Sequence, residues 1–182
     1  TITITENESA PTVTLTTSAT TIAENAGSSL TLTATLSGTT DVDITVALDT
    51  SGTSTEGTDY TDGSGNIDDI VISAGATTGT VNFTPTDDSI YDATSNETAT
   101  ISINGVSGKT GVAENSTPQE VTITITDNES APVISLSVSS STVTEGSSLT
   151  ITATSTVASY EDLIVSLYAN QTGTATAGTD YT

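Results

Sequence analysis

The chain has 182 residues, with one Lys or Arg against 23 Asp or Glu, so its formal net charge is -22. Nucleic acids and anionic membrane surfaces require a basic face, so this charge excludes both as direct partners and favours cations. Trp, Met and Cys are absent and aromatic residues make up only 3%, so the core must consist of Val, Ile, Leu and Ala, without disulfides. No apolar run approaches the length of a membrane span.

Apolar residues alternate with threonine or other polar residues along most of the chain, which predicts strands rather than helices. Clusters of Gly, Asp, Asn and Ser separate these runs and mark turns. Seven strands are predicted near residues 12–16, 29–36, 43–49, 67–73, 78–84, 98–104 and 119–126. Seven strands in about 120 residues indicate an all-β fold, an immunoglobulin-like antiparallel β-sandwich.

An internal repeat organises the sequence. The segment Ile4–Pro11 recurs as Ile125–Pro132, and Gly57–Thr61 recurs as Gly178–Thr182, each 121 residues later. Between these two matches the offset falls to 119 and then recovers, which a two-residue deletion after Glu145 and a two-residue insertion after Leu167 explain. The pattern predicts tandem domains of one kind.

The repeat predicts three parts of the chain: residues 1–8 as the last strand of one repeat, residues 9–129 as a complete repeat, and residues 130–182 as the first part of the next. Ser-Ala-Pro marks both junctions, at Ser9–Pro11 and Ser130–Pro132. A short linker containing proline limits hinge motion, so we expect consecutive repeats to stack as a rod. We also expect the natural chain to continue beyond the third part.

Three carboxylates lie within six residues at Asp87, Asp88 and Asp92, directly after a predicted strand. No Lys or Arg is near them in the sequence. Such a cluster is either a solvated loop or a site for a hard cation, and Ca²⁺ takes six to eight oxygen ligands of this kind. Other acids, such as Asp41, Asp43, Asp68 and Asp69, are interpreted as solvated surface.

Four separated motifs follow one another along the complete repeat: Ile22-Ala23-Glu24, the segment Gly52–Tyr60, the segment Asp87–Asp92, and Asp127-Asn128-Glu129 at the end of the last strand. In this order they resemble the Calx-beta domain. The resemblance implies calcium ligands at Glu24, Asp59, Asp87, Asp88, Asp92, Asp127 and Glu129, with a partial equivalent at Glu145 and Asp180 in the next repeat.

The sequence departs from the family pattern at two of these positions. Asn128 stands where the best calcium binders of the family carry Asp, which lowers the charge of the implied site. Asp92 stands where the family usually has Glu, so its shorter side chain is expected to reach an ion through water.

Catalytic chemistry is poorly supported, because the chain has no His or Cys to act as a general base, nucleophile or transition-metal ligand. Paired carboxylates could serve a glycosidase, but a metal site explains them better. Contact with glycan or protein through tyrosines is a further possibility, although Tyr60 and Tyr181 recur in the repeat and are expected to pack near a turn. The sequence therefore predicts a protein that is not an enzyme.

The prediction for function is a calcium-binding structural repeat of a long extracellular surface, adhesin or filament-forming protein, bacterial in origin and stiffened by Ca²⁺ near its domain junctions. Its expected partners are calcium, neighbouring repeats, and other copies of the chain or a surface ligand. Two alternatives remain open: a regulatory calcium sensor like those of sodium–calcium exchangers, and an accessory binding module of a secreted multi-domain enzyme.

Overall fold

The computed structural model describes residues 2, 8–92, 96–116, 119–167, 173–176 and 178–181. These residues form two compact units. The first unit comprises Thr1–Asp88 with Thr94–Asn128, and the second comprises Ser89–Ala93 with Glu129–Thr182.

All regular structure in the described residues is β-strand, apart from one 3₁₀ turn at Glu24–Ala26. The strands of the first unit are β1 (Thr12–Thr17), β2 (Thr21–Ala23), β3 (Leu30–Leu36), β4 (Ile44–Gly52), β5 (Tyr60–Thr61), β6 (Ile70–Ile72), β7 (Thr78–Pro85), β9 (Asn96–Ser107), β10 (Ala113–Glu114) and β11 (Glu120–Thr126). Those of the second unit are β8 (Ile90–Tyr91), β12 (Ile134–Val138), β13 (Ile151–Ser155) and β14 (Ala158–Ser159). Among these described parts, no helix is long and apolar enough to cross a membrane.

The first sheet of the first unit has the strand order β10-β1-β3-β7-β5. Its central strands are antiparallel, with Val13 opposite Leu36 and Leu30 opposite Phe83. Side chains alternate between the two faces of a strand, so β3 buries its three leucines and Ala34 while its threonines stay half-buried. The edge strand β10 pairs in parallel with β1.

The second sheet has the order β2-β11-β9-β4-β6. Its long strands are antiparallel, with Thr122 of β11 opposite Thr100 of β9. The short strand β2 runs parallel to β11, and Ala23 opposite Thr126 is the last pair. The chain therefore changes sheets between β1 and β2, and β2 and β11 finish at the same end of the unit.

The core lies between the inward faces of these two sheets. Its buried apolar residues are Val13, Leu15, Ile22, Leu30, Leu32, Ala34, Leu36, Ile44, Val46, Tyr60, Ile70, Ile72, Phe83, Ala99, Ile101, Ile103, Val112, Ile123 and Ile125. Burial of each large aliphatic side chain contributes about 1.5–3 kcal/mol to folding. The aliphatic core expected from the composition is therefore present, with one stacked aromatic pair inside it.

The predicted all-β sandwich is confirmed, and each of the seven predicted strands has a counterpart in the first unit. Two details differ. The strand expected at 67–73 covers only Ile70–Ile72. The residues before it form hydrogen bonds with side chains instead of strand pairs: Ile67 N donates to Glu56 Oε1, and Asp69 Oδ1 accepts from Leu48 N. The short strands β2, β5, β8 and β10 were not predicted, since two or three residues are too few to show a period, and three of them pair in parallel.

The second unit contains the hairpin β12–β13 and the parallel pair β8–β14. Ile134, Leu136, Val138 and Ile151 are 36–55% exposed. The matching residues of β1 and β3 are mostly buried, because the second sheet of the first unit covers them. The apolar side chains of this hairpin are therefore much more exposed to water than their counterparts in the first unit.

The hairpin reproduces the pairing of β1 with β3. Val13 pairs with Leu36, and Ile134 pairs with Ser155. The first strand is thus shifted by 121 residues and the second by 119, in agreement with the deletion inferred between them.

Candidate functional site: an acidic cluster at one end of the first unit

Two segments of the candidate site are brought together by the parallel pairing of β2 with β11. The pairing ends at Ala23 and Thr126, so Glu24 and Asp127 both follow at the same end of the second sheet. Glu24 opens the 3₁₀ turn, which ends at Gly27 in the left-handed conformation (φ 61°). This turn keeps the Glu24 carboxylate close to the last residues of the first unit.

A third segment arrives from the first sheet. Strand β7 ends at Pro85 beside the start of β3, where the hydroxyls of Ser29 and Thr84 share a 2.7 Å hydrogen bond. After Pro85 the chain continues through Thr86 to Asp87 and Asp88. The two loops enclose an open depression of about 250 Å³, lined by Glu24, Asn25, Gly27, Ser28, Ser29, Thr84, Pro85 and Asp87.

Asn128 joins these segments. Its backbone N–H donates to Glu24 Oε1 at 3.1 Å, and its side-chain Nδ2 donates to the same oxygen at 3.2 Å. The same Nδ2 also donates to Asp87 Oδ1 at 2.9 Å. Asn25 Nδ2 in turn donates to Asn128 Oδ1 at 2.9 Å. One amide therefore links two carboxylates that are far apart in the sequence.

The carboxylate oxygens of Glu24 and Asp88 lie within 4.8 Å of one another. Glu24 is half-buried, whereas Asp87 and Asp88 are exposed. Like charges at this separation repel, and an opposite charge between them relieves the repulsion. The donor set consists of oxygens alone, which suits a hard cation such as Ca²⁺ and does not suit a transition metal. The residues present therefore fit a calcium ion.

Asp59 has a clear local role in the structure. Its Oδ2 accepts a 2.5 Å hydrogen bond from the backbone N–H of Thr55, which closes the turn before β5. Its carbonyl oxygen accepts from Thr86 N at 2.9 Å, so its backbone lies beside the loop that carries Asp87. Asp59 is thus near the acidic loop through its main chain, while the described contact of its carboxylate belongs to the turn.

The same turn occurs in the second unit. Asp180 Oδ2 accepts from Thr176 N at 2.7 Å, and Gly178 N donates to the carbonyl of Tyr181 as Gly57 N does to Tyr60. The Gly-Thr-Asp-Tyr motif is therefore a turn-forming unit whose aspartate stabilises its own backbone.

The remaining predicted ligands lie in different parts of the structure. Asp127 is half-buried at the end of β11 in the first unit. Asp92 and Glu129 are half-buried and belong to the second unit, where Glu129 is the first residue after Asn128. Glu145 is exposed in a turn with Gly146, whose φ is 80°. Within the first unit, the described contacts bring together Glu24, Asp87 and Asp88.

Asn25 was missed by sequence reasoning, although the repeat carries a signal for it. The two residues between Glu24 and Gly27 have no counterpart between Glu145 and Gly146. The inferred deletion thus removes the equivalent of Asn25, whose side-chain Nδ2 donates to the side-chain oxygen Oδ1 of Asn128. A residue present in one repeat and absent from the next points to a difference between their sites.

Two other acids of the first unit have structural roles away from this cluster. Glu56 accepts hydrogen bonds from Ile67 N at 2.6 Å and from Thr50 Oγ1 at 3.0 Å, which ties the β5–β6 loop to β4. Asp62 Oδ1 accepts from the backbone N–H and hydroxyl of Ser64 at 2.6 and 2.8 Å. These hydrogen bonds lower the pKa of Asp62 below its ordinary value, as expected for a carboxylate that closes a turn.

The Calx-beta domain family matches residues 6–129 and again residues 127–182, so the chain belongs to that family. Calx-beta is a calcium-related, non-catalytic domain family, and the match assigns domains of this kind to both matched ranges.

Comparison with individual proteins adds little. No curated protein matches the chain. A solved structure of a two-domain protein of unknown function from Bacteroides fragilis is similar at 11% identity and a TM-score of 0.43. The similarity covers 71% of this chain and only 55% of that one.

Proposed function

We propose that the first unit is a calcium-binding structural repeat of a long extracellular protein of bacterial origin, one that forms an adhesin, a surface layer or a filament. The ion would be held by Glu24, Asp87 and Asp88, with further oxygens from Asp59 and Asp127 of the same unit. Its role would be to stabilise the end of the sandwich that leads into the next repeat. The observation that carries the proposal is the convergence of Glu24, Asp87 and Asp88 on one end of the unit.

The position of this end supports a structural role. Strand β1, the first strand of the unit, begins beside Leu36, where Thr12 N donates to Ser37 Oγ at 2.9 Å. The chain leaves the unit at Asn128, beside the loops that precede the other end of β3. A strand of seven residues is about 20 Å long, so the two junctions lie well apart on the unit. Such a separation of the two ends is what the proposed array of repeats requires.

The charge also supports calcium as the partner. With 23 acids and a single basic residue, the chain repels itself when compact, and bound cations lower that cost. A divalent ion at the junction end would neutralise the closest carboxylates. The array would then become rigid once the protein is secreted into a medium that contains calcium.

Calcium binding is tested by thermal unfolding and calorimetric titration of the 182-residue chain. We expect the Tm to rise in millimolar Ca²⁺ and to fall in chelator, because an ion bound only by the folded state stabilises it by about 2.7 kcal/mol at one hundred times its Kd. Sodium chloride of equal ionic strength and Mg²⁺ serve as controls for screening. An equal response to all three salts would reduce the effect to screening and would contradict the proposal.

The site residues are tested by neutralising the acidic loop. The double variant Asp87→Asn and Asp88→Asn should lose most of the calcium response. The matched control is Asp68→Asn with Asp69→Asn, which removes the same charge from the β5–β6 loop of the same unit. A calcium response that survives the first pair, or is lost equally with the control pair, would place the ion elsewhere.

A further inference from the structure

The side-chain amide of Asn128 lies between two carboxylates of the first unit. Its Nδ2 donates to Glu24 Oε1 at 3.2 Å and to Asp87 Oδ1 at 2.9 Å. An amide nitrogen carries two hydrogens, and here both are directed at carboxylates. Hydrogen bonds to an ionised acceptor are about twice as strong as neutral ones.

The orientation of this amide is set by its neighbours. If the oxygen and nitrogen of Asn128 were exchanged, its oxygen would face two carboxylates and its nitrogen would face the Asn25 donor. Both contacts with carboxylates would then become repulsive, so the two carboxylates set the orientation of the Asn128 amide. Asn25, in the 3₁₀ turn that begins at Glu24, donates to the oxygen of that amide.

An aspartate at position 128 would act in the opposite sense. It would lose both N–H donors and add a third negative charge between Glu24 and Asp87. Without an ion this end of the unit would repel itself, and with an ion it would offer one more oxygen ligand.

We propose that Asn128 takes the place of a bridging cation in the ion-free chain and thereby weakens calcium binding, with Asn25 as its positioning residue. The inference rests on the proposed calcium function for its second half only, since the amide bridge exists without an ion. The amide keeps the end of the unit formed when calcium is absent, and an arriving ion must displace its hydrogen bonds. The first unit therefore responds less to calcium than it would with aspartate at this position.

The test compares Asn128→Asp with Asn82→Asp, which makes the same chemical change on an exposed position of β7. In chelator, Asn128→Asp should lower the Tm by about 5 °C more than the control does. In the calorimetric titration, Asn128→Asp should bind Ca²⁺ about tenfold more tightly than the unmodified chain, because ligand charge tunes affinity. The Tm gained on adding calcium should increase accordingly.

Asn25→Ala provides a second, milder variant that leaves every carboxylate in place. It should lower the Tm in chelator by a smaller amount, and it should strengthen calcium binding slightly, because the Asn128 amide is then less firmly held. A change of similar size in Asn66→Ala, a loop position of the same unit, would show that the loss is not specific to the bridge.

Each half of the proposal has its own contrary result. Equal Tm values for Asn128→Asp and Asn82→Asp in chelator would overturn the amide bridge. Equal calcium affinity for Asn128→Asp and the unmodified chain would overturn the weakening of calcium binding. A Tm loss in chelator, with no calcium bound by either protein, would support the bridge and overturn the calcium function.

Discussion

Tyr60 and Phe83 stack in the core of the first unit with their ring centroids 4.6 Å apart and an angle of 21° between the rings. Both side chains are completely buried, and Phe83 is the single phenylalanine of the chain. Tyr60 follows the turn closed by Asp59, and Phe83 lies two residues before the end of β7. The stacked pair therefore anchors both segments that lead to the acidic end of the sandwich.

Removing this anchor should destabilise the first unit strongly. Tyr60→Ala is expected to lower the free energy of unfolding by about 3–5 kcal/mol, because it removes a large buried ring and leaves a cavity. Denaturant unfolding measures the change. Val42→Ala, at a position 40% exposed, is the control and should cost about 0.5 kcal/mol or less. Similar losses for the two variants would contradict the packing described for Tyr60.

The buried phenol also predicts a loss of stability at high pH. Burial raises the pKa of Tyr60 above its ordinary value of 10.0, and the charges of Glu56 and Asp59 add to this, against a hydrogen bond with Thr50. Above about pH 10 the unfolded chain releases this proton while the folded chain retains it, so the free energy of unfolding falls as the pH rises.

Tyr60→Phe removes this titration, and its stability should decline less steeply than that of the unmodified chain above about pH 10. Chemical denaturation at a series of pH values checks the slope. Tyr181→Phe, which removes a more exposed phenol, is the control and should keep the original slope. The same slope for all three proteins would exclude Tyr60 as the titrating group.

Gly52 is required at the end of β4. Its φ is 124°, and a side chain there would collide with the carbonyl oxygen of Thr98, which already accepts hydrogen bonds from Thr53 N and Ser54 N. Gly52→Ala should therefore cost about 2–3 kcal/mol in thermal or denaturant unfolding. Gly65→Ala, in open space, is the control. A cost below about 0.5 kcal/mol at both positions would contradict the close approach of β4 and β9.

The basic residue Lys109 should matter little for stability. Its Nζ contacts Asp41 Oδ1 at 2.6 Å, but the two side chains are 46% and 76% exposed. Water and salt screen exposed ion pairs, so Lys109→Gln should leave the Tm measured by thermal unfolding nearly unchanged.

The same variant should change the titration of Asp41. The hydrogen bond from Lys109 lowers the pKa of Asp41 below 3.8, and its own backbone N–H and the Lys109 charge act in the same direction. The stability that this pair contributes is present above the unfolded-state pKa of 3.8, and it is lost as the pH falls through the lower folded-state pKa of Asp41. In Lys109→Gln, the pKa of Asp41 measured by NMR should rise. An unchanged pKa would show that the pair does not form in solution.

Much of the fold follows from the local sequence. The alternation Leu30–Leu36 places every second side chain in the core, because a strand presents successive residues to opposite faces. The turn around Asp59 recurs around Asp180 with the same hydrogen bonds, because its contacts lie within five residues of each other. Features with short sequence separation could be predicted in this way.

The site could be predicted only in part. Motif order marked Glu24, Asp87 and Asp88 as candidates, and the structure brings these three together. The contact of Asn128 with Glu24 spans 104 residues and depends on the short parallel strand β2, which has no period to reveal it. Composition and alternation by themselves determined an acidic, threonine-rich sandwich with an aliphatic core. Only the tertiary structure decided that an amide holds its carboxylates together, because long-range pairing sets which side chains meet.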